Sequence, residues 1–182
     1  MGTLMKEEAT VLLSGVMVDT KNFTRSTGTR TFSAALYLRG EGGNAEIASS
    51  FFNEDIEDYN AEAKFGSSLT VYRDHIAITT SMGTDNADGD RVAASKAADK
   101  LLTVKNVKAS FALVVIDNAI HISARSDGSI NVQLILERMG GGGRFDSAGA
   151  ALSDTSIEKA VENLQKAVAD HFAEMEASRR ND

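Results

Sequence analysis

The stretch Met139-Gly-Gly-Gly-Gly-Arg-Phe-Asp-Ser-Ala-Gly-Ala150 carries four consecutive glycines, Gly140 to Gly143, between two apolar segments. Each glycine loses more backbone entropy on ordering than any other residue, so the run predicts neither a helix nor a strand. We interpret it as a tight loop whose bare backbone lets a ligand approach and offers N–H groups to an anion. A simple turn is the alternative, although a turn usually needs only one or two glycines.

The segments around the glycine run predict an α/β fold of the α+β kind, with a mixed five-stranded sheet and helices packed on it. The last helix carries an apolar stripe at spacings of three and four, which is typical of a core-facing helix: Ile157, Val161, Leu164, Val168, Phe172 and Met175. The predicted elements, in order, are strands over 69–72 and 76–80, a helix over 90–102 with Asp90 as its N-cap, strands over 111–116 and 119–124, a helix over 131–139, a strand over 148–152 and the last helix.

The first 65 residues predict helices rather than strands. Residues 9–18 form an apolar run that fits a helix or a buried strand, and residues 31–39, 45–52 and 54–65 fit short helices. So few helices do not easily close a core around themselves. We therefore interpret this part as the end of a larger domain.

Composition excludes several classes of protein. The chain has 182 residues, a net charge of −7 and no cysteine, so it has no disulfide, thiolate metal site or cysteine nucleophile. Proteins that bind long nucleic acid gain much of their affinity from clustered Lys and Arg residues, so an acidic chain is a poor candidate for such binding. No stretch approaches the roughly 20 apolar residues of a membrane span, and the first residues lack the core of a signal peptide. We expect this piece to be soluble and cytoplasmic.

Local clusters of cations still suit a small anion with one or two phosphates. Arg125, Arg138 and Arg144 bracket the glycine run. If the end of the predicted strand meets the loop, then Arg125, Asn131, Arg144 and the loop amides form a pocket of donors. The alternative is that Arg125 caps a helix or pairs with Asp127.

Other motifs do not support a site. The acidic stretch 84–90 fails the spacing of a calcium-binding loop, and the glycine run lacks the Lys-Ser/Thr of a Walker loop. A Rossmann site is excluded because the glycines follow a predicted helix rather than a strand. His75, His121 and His171 stand far apart in sequence, which favours structural or surface roles.

Two strings resemble a known family. Val18-Asp-Thr-Lys-Asn-Phe23 with Thr27-Gly-Thr-Arg-Thr-Phe32 resembles the end of the catalytic domain of DHH-superfamily phosphoesterases, above all the membrane-anchored PAS–GGDEF–DHH enzymes that hydrolyse cyclic di-AMP. The glycine run with Ala148-Gly-Ala150, preceded by Ser123-Ala-Arg-Ser126 and Asn131, is similar to their C-terminal substrate-binding domain. The resemblance covers residues from about 9 to 172.

The resemblance implies a division into the end of a DHH catalytic domain (1–45), a helical connector (46–65) and a DHH-associated substrate-binding domain (66–182). It also implies that Asp19 is a ligand of a two-manganese site, and that Arg125 and Gly141, Gly142 and Gly143 belong to the substrate-binding motifs. Arg144 stands where the family usually has histidine. The family's first aspartate motifs and its Asp-His-His motif are not in this sequence, so most metal ligands would come from residues outside it.

The function that the resemblance implies is substrate binding within a metal-dependent phosphodiesterase that converts cyclic di-AMP to linear pApA. The parent would be anchored to the bacterial plasma membrane with this part in the cytoplasm, and a homodimer is a further expectation. This piece alone is predicted to be inactive. The alternatives are an enzyme of the nanoRNase or pAp-phosphatase type and a nucleotide-binding module without a catalytic role.

Overall fold

The computed structural model describes residues 4–180 and shows two compact units that divide between Asp55 and Ile56. The predicted domain boundaries, after residues 45 and 65, lie on either side of this division. Among residues 4–180, no helix combines the length and the hydropathy that a membrane-spanning helix requires.

The first unit consists of three helices, α1 (Lys6–Asp19), α2 (Thr29–Gly40) and α3 (Ala45–Ser50). Residues 9–18, for which the sequence left helix and strand open, are therefore helical. The first turn of α1 is acidic, which favours its interaction with the helix dipole, and Glu8 accepts a hydrogen bond from the backbone N–H of Met5 at 2.9 Å. The core of this unit is small and centres on Ala9, Leu13 and Leu38.

Much of the apolar surface of the first unit is exposed. Among its described residues, ten large apolar side chains are at least 50% exposed: Met5, Val11, Leu12, Val18, Phe32, Leu36, Tyr37, Ile47, Phe51 and Phe52. Scattered apolar residues are normal on a protein surface, but so many beside so small a core are unusual. The exposure is what a piece of a larger domain would show, and that assignment stays a prediction.

The second unit is built on a six-stranded mixed sheet in the order β1-β2-β3-β4-β6-β5. Only β2 and β3 are parallel, and a helical crossover joins them. The elements are α4 (Ile56–Gly66), β1 (Thr70–Tyr72), β2 (Ile76–Met82), α5 (Ala87–Leu101), β3 (Ala109–Ile116), β4 (Ala119–Ser126), α6 (Val132–Glu137), β5 (Gly142–Arg144), β6 (Ser147–Ser153) and α7 (Ile157–Arg180). The predicted fold class is confirmed.

The number of strands differs from the prediction, because part of the glycine run is a strand rather than a loop. Gly142, Gly143 and Arg144 form the edge strand β5, which pairs with β6 through a turn at Phe145 and Asp146. Glycine disfavours a strand through its backbone entropy, but here the hydrogen bonds of the hairpin offset that cost over only three residues. The sheet therefore has six strands and not five.

Helices cover the sheet on both faces. On one face, α6 and α7 bury the main apolar core, whose largest members include Phe111, Leu113, Ile135 and Leu164. On the other face, an alanine-rich side of α5 packs against β3. The small side chains allow a close approach, and the fully buried Ser110 Oγ donates to the carbonyl of Ala98 at 2.6 Å.

Helix α5 begins three residues earlier than predicted, and its N-cap is Asn86 rather than Asp90. The Asn86 side chain accepts a hydrogen bond from the backbone N–H of Gly89 at 3.0 Å. Asp90 is buried instead, and its carboxylate accepts from both the backbone N–H and the hydroxyl of Thr84. Both residue types suit an N-cap, so the sequence alone did not distinguish them.

Five of the six residues of the predicted stripe on the last helix pack in or against the main core, whereas Met175 is half-buried and is not part of it. Leu164 and Val168 of α7 are fully buried, and Ile157, Val161 and Phe172 pack against the same core. His171 lies within this helix and is only 4% exposed. Its Nε2 has no hydrogen-bond partner among the described residues. A buried imidazole without a partner favours its neutral form.

We predict that His171 makes stability depend on pH. Burial lowers the pKa of His171, the positive charge of Arg138 lowers it further, and Glu174 opposes the shift. The unfolded chain therefore binds a proton more readily than the folded chain, so this contribution to stability is fully present above the ordinary histidine pKa and is lost as the pH falls below it. In urea unfolding between pH 8 and pH 5.5, His171→Leu should flatten the dependence of the free energy of unfolding on pH.

The control is His121→Gln, which removes a histidine that is only partly buried. It should leave most of the pH dependence in place. An equal slope of the free energy of unfolding against pH in the unsubstituted chain and in His171→Leu would contradict the prediction.

Candidate functional site

One part of the sheet is open on the face that carries α5. That helix contacts β3 and β4, whereas Gly149, Ala151 and Ser153 of β6 are exposed on the same face. Residues that are direct partners across neighbouring strands share a face. We call the outward positions of β4, β6 and β5 the open face: His121, Ser123, Arg125, Ser147, Gly149, Ala151, Gly142 and Arg144.

A row of three residues crosses the open face at one end. Arg125 of β4 is the direct partner of Ser147 of β6, which is in turn the partner of Arg144 of β5. Neighbouring strands are about 4.8 Å apart, so the backbones of the two arginines are roughly 10 Å apart. The register therefore places both cations on one face with a small hydroxyl side chain between them.

The glycines of the run differ in what they do for the fold. A Cβ on Gly141 would lie 2.3 Å from the carbonyl oxygen of Gly149, and one on Gly143 would lie 2.5 Å from Cα of Ala148. Gly143 also has a φ of 150°. A Cβ on Gly142 would meet nothing within 4 Å, and its φ is in the ordinary range. Gly142 is therefore the glycine of β5 that the fold does not require.

Arg125 is held by three groups. Its Nε lies 3.4 Å from Oδ2 of Asp99, its Nη1 donates to the carbonyl of Ala124 at 2.9 Å, and its Nη2 donates to Oγ of Ser95. The ion pair is thus with Asp99 on α5 and not with Asp127. The Arg125 side chain is still 21% exposed, so a ligand on the open face can reach it.

The side chain of Arg144, unlike that of Arg125, is not held by neighbouring groups among the described residues. Arg144 is exposed on the edge strand, and its side chain makes neither a hydrogen bond nor an ion pair with any residue between 4 and 180. Its long side chain is therefore free to move toward a ligand, at the cost of the rotamer entropy that it loses on binding.

Asn131 does not lie on the open face. It is the N-cap of α6, and its side-chain oxygen accepts a hydrogen bond from the backbone N–H of Leu134 at 3.2 Å. Helix α6 packs on the opposite face of the sheet. The next residue, Val132, donates its backbone N–H to the carbonyl of Phe145, so α6 begins beside the β5–β6 turn.

His121 lies at the other end of β4 on the open face. Burial lowers the pKa of His121, the nearby guanidinium of Arg91 lowers it further, and Asp117 opposes the shift. The imidazole is therefore neutral at pH 7. It provides hydrogen-bonding capacity at this end of the open face, with the guanidinium of Arg91 nearby, whereas Arg125 and Arg144 lie at the other end.

Asp19 lies in the first unit, where it is the exposed last residue of α1. An unusual turn follows it, in which Lys21, Asn22 and Phe23 all adopt positive φ values of 45° to 62°. A left-handed conformation costs about 1–2 kcal/mol for each such residue, and such strain is often found at functional sites. Thr20 stabilises the turn, because its hydroxyl donates to the carbonyl of Val16 and accepts from the N–H of Phe23.

The residues present do not fit a two-metal centre by themselves. Two metal ions about 4 Å apart need several carboxylate or imidazole ligands. Between residues 4 and 180, no three His, Asp or Glu side chains come close enough together to hold a metal ion. Asp19 is at most one ligand of such a centre, so no step through a metal follows from this chain.

Sequence reasoning missed three polar residues near the arginines: Ser95, Asp99 and Ser147. The sequence does contain a pattern that points to Ser95 and Asp99. Together with Arg91 they follow one another at intervals of four on a helix whose other side is rich in alanine. Such a polar stripe indicates a common face, but only the structure shows that this face lies beside β4.

Comparison with known proteins gives similar sequences over most of the chain. The cyclic-di-AMP phosphodiesterase PdeA of Listeria monocytogenes is 44% identical over 164 residues, and the cyclic-di-AMP phosphodiesterase GdpP of Bacillus subtilis is 41% identical over 166 residues. These matches cover 90% and 91% of this chain, but the chain spans only 25% of each relative. The bifunctional oligoribonuclease and PAP phosphatase NrnA of Thermus thermophilus is 25% identical, over 89% of this chain and 50% of that protein.

A solved structure shares the fold. The exopolyphosphatase-related protein of Bacteroides fragilis superposes with a TM-score of 0.78 at 23% identity, over 91% of this chain and 51% of that protein. The model of the DHHA1 domain matches residues 75–174, which is more than half of the chain. The resemblance stated from the sequence is confirmed, and the chain belongs to the DHHA1 domain family.

Proposed function

We propose that this chain is the substrate-binding part of a metal-dependent phosphodiesterase that opens cyclic di-AMP to linear pApA. In this proposal the open face of the second unit binds a phosphate of the substrate, and Arg125 and Arg144 provide the charge. The metal ions, expected to be manganese, would be held by residues that are mostly outside this chain, with Asp19 as one ligand. The membrane anchor, the cytoplasmic location and the homodimer remain predictions.

The observation that carries the proposal is the bare backbone at Gly142. The fold has room for a side chain there, and the position faces the same side of the sheet as both arginines. Gly149, its direct partner on β6, is also exposed. Two bare positions beside two cations are what the close approach of an anionic ligand requires.

The chemistry of the site suits a phosphate. Guanidinium groups bind phosphate oxygens through paired hydrogen bonds, and these bonds strengthen as negative charge develops during phosphodiester cleavage. Arg144, unlike the histidine usual in the family, stays positive at every physiological pH. It therefore supports binding and charge stabilisation but does not provide a group that donates and recovers a proton at neutral pH.

The names of the relatives support the substrate. The two relatives above 40% identity are named as phosphodiesterases of cyclic di-AMP, whereas the oligoribonuclease and PAP phosphatase is 25% identical. Rates of the full-length parent on cyclic di-AMP, linear pApA and short RNA test this choice. Preference for the linear substrates would favour the nanoRNase type, and no hydrolysis with intact binding would favour a non-catalytic module.

We predict that Arg125→Ala weakens the binding of cyclic di-AMP to the full-length parent by about ten- to a hundredfold. The change removes a charge-assisted hydrogen bond, which contributes about 1.5–3 kcal/mol. Isothermal titration calorimetry in the presence of a chelator measures binding without hydrolysis. The melting temperature reports whether the fold is intact, and unchanged affinity in a folded variant would contradict the prediction.

We predict that Gly142→Val also weakens binding of cyclic di-AMP, because the new side chain covers the bare backbone beside the row that carries the two arginines. The fold should tolerate it, since a Cβ there meets no atom within 4 Å. The matched control is Ser153→Val, which puts the same side chain on the same face six residues along β6 from Ser147. Equal losses of affinity in both variants would contradict a site at Gly142.

We predict that the present chain alone does not hydrolyse cyclic di-AMP. The physical reason is the number of metal ligands, because one candidate carboxylate does not hold two metal ions. The measurement is product formation by the pure chain with added manganese, compared with a metal-free sample. Hydrolysis above that background would show that the described residues do form a metal centre.

A further inference from the structure

We propose that Ser95 and Asp99 of α5 are positioning residues that fix the guanidinium of Arg125 for the phosphate of the substrate. This inference rests on the proposed function, because it concerns the same ligand. It assigns to α5 a role beyond covering the sheet. Ser95 and Asp99 do not contact the ligand in this proposal, and they act only through Arg125.

The geometry provides two tethers from one helix. Asp99 approaches Nε of Arg125 at 3.4 Å, and Ser95 accepts a hydrogen bond from Nη2. Ser95 and Asp99 are four residues apart, so they lie on the same side of α5, one turn from each other. Together they hold the guanidinium along its Nε edge, and the carbonyl of Ala124 holds Nη1.

The helix that provides these tethers is itself fixed to the sheet. Ala94 and Ala98 of α5 are almost completely buried, and the Ala98 carbonyl accepts the hydroxyl of Ser110 on β3. At the beginning of the helix, buried Asp90 binds the backbone and side chain of Thr84. Ser95 and Asp99 are therefore anchored by the core, as a positioning residue must be.

The number of N–H donors on the guanidinium of Arg125 shows why its contacts with Ser95, Asp99 and Ala124 still allow it to bind a phosphate. A guanidinium has five N–H groups, and the hydrogen bonds to Ser95 and Ala124 use two of them, while Nε faces Asp99 in the ion pair. One N–H on Nη1 and one on Nη2 remain. These two donors form a fork that matches two phosphate oxygens. The tethers therefore orient the arginine without saturating it.

The tethers also have a cost, because the carboxylate of Asp99 partly neutralises the charge that attracts the phosphate. Asp99 is 34% exposed, so water screens its repulsion of the ligand. The tethers also have a benefit, because Arg125 has already lost its rotamer freedom before the ligand binds and does not lose it again on binding. Fixing one such side chain in advance raises affinity by about two- to tenfold. We infer that the gain in order exceeds the loss in charge.

The test uses Asp99→Ala and Asp99→Asn in the full-length parent, with cyclic di-AMP as the probe and a chelator to prevent hydrolysis. Asp99→Ala removes the tether and should weaken binding by about two- to tenfold. Asp99→Asn keeps a polar side chain of the same shape beside Nε, so it should bind at least half as tightly as the parent. If Asp99 acted only as a repelling charge, both variants would bind more tightly, and the proposal would be overturned.

A double-mutant cycle separates positioning from general damage to the structure. In an Arg125→Ala background, Asp99→Ala should change the affinity by less than twofold, because there is no guanidinium left to orient. The matched control is Asp88→Ala, which removes the same charge from the same helix at an exposed site paired with Arg91. It should leave the affinity within twofold of the parent.

A second measurement does not depend on any ligand. The ¹⁵Nε signal of Arg125 should show restricted motion in the parent and increased motion in both Ser95→Ala and Asp99→Ala. Free motion of Arg125 in the parent would overturn the inference. Unchanged affinity on Arg125→Ala would overturn the proposed function and this inference together, whereas an effect of Arg125→Ala that Asp99→Ala does not share would overturn the inference alone.

Discussion

The alternation of side chains along β4 is the constraint on which the second unit depends. Ile120, Ile122 and Ala124 enter the main core, so the alternate residues of β4, including Arg125 directly after Ala124, must lie on the face that carries α5. Strand β3 enforces this register because it is buried on both faces and pairs with β4 along its whole length. A slip by one residue would turn Arg125 into the apolar core, where an unpaired charge costs several kcal/mol. The packing of apolar side chains into the main core therefore determines which polar side chains of β4 lie on the opposite face of the sheet.

The glycine run combines two different requirements in adjacent residues. Gly141 and Gly143 allow β5 to lie against the backbone of β6, where any Cβ would collide with it. Gly142 lies between them and faces the open side, where a Cβ collides with nothing. Gly140 is also needed by the fold, because its φ of 78° favours glycine, so Gly142 is the position of the run that is left for the proposed ligand. The close approach of β5 to β6 and the bare backbone at Gly142 together account for a run of four glycines, whereas a simple turn would need fewer.

Periodicity was sufficient to predict most of the fold but not the details of the site. The helices and five of the strands follow from local apolar patterns, and α7 shows this most clearly. Strand β5 was missed because a glycine run has no pattern of its own and becomes a strand only through pairing with β6. The contact of Arg125 with Asp99 was missed for a similar reason, since 26 residues separate the two and only the crossover between β2 and β3 brings α5 over β4. Local signals do not contain such long-range contacts.

In the proposed site, the two arginines differ in how strongly the fold restrains them. Arg125 is tied to the scaffold at all three of its nitrogens, so it presents donors in a fixed direction and loses little freedom on binding. Arg144 is exposed on an edge strand and its side chain is not restrained in this way, so under the proposed function it could adjust to a ligand that changes shape. A fixed donor favours the correct geometry, and a mobile donor tolerates both substrate and product. From this difference in restraint we expect a change of residue type to be tolerated better at position 144 than at position 125, where a shorter or differently shaped cation would lose the contacts with α5.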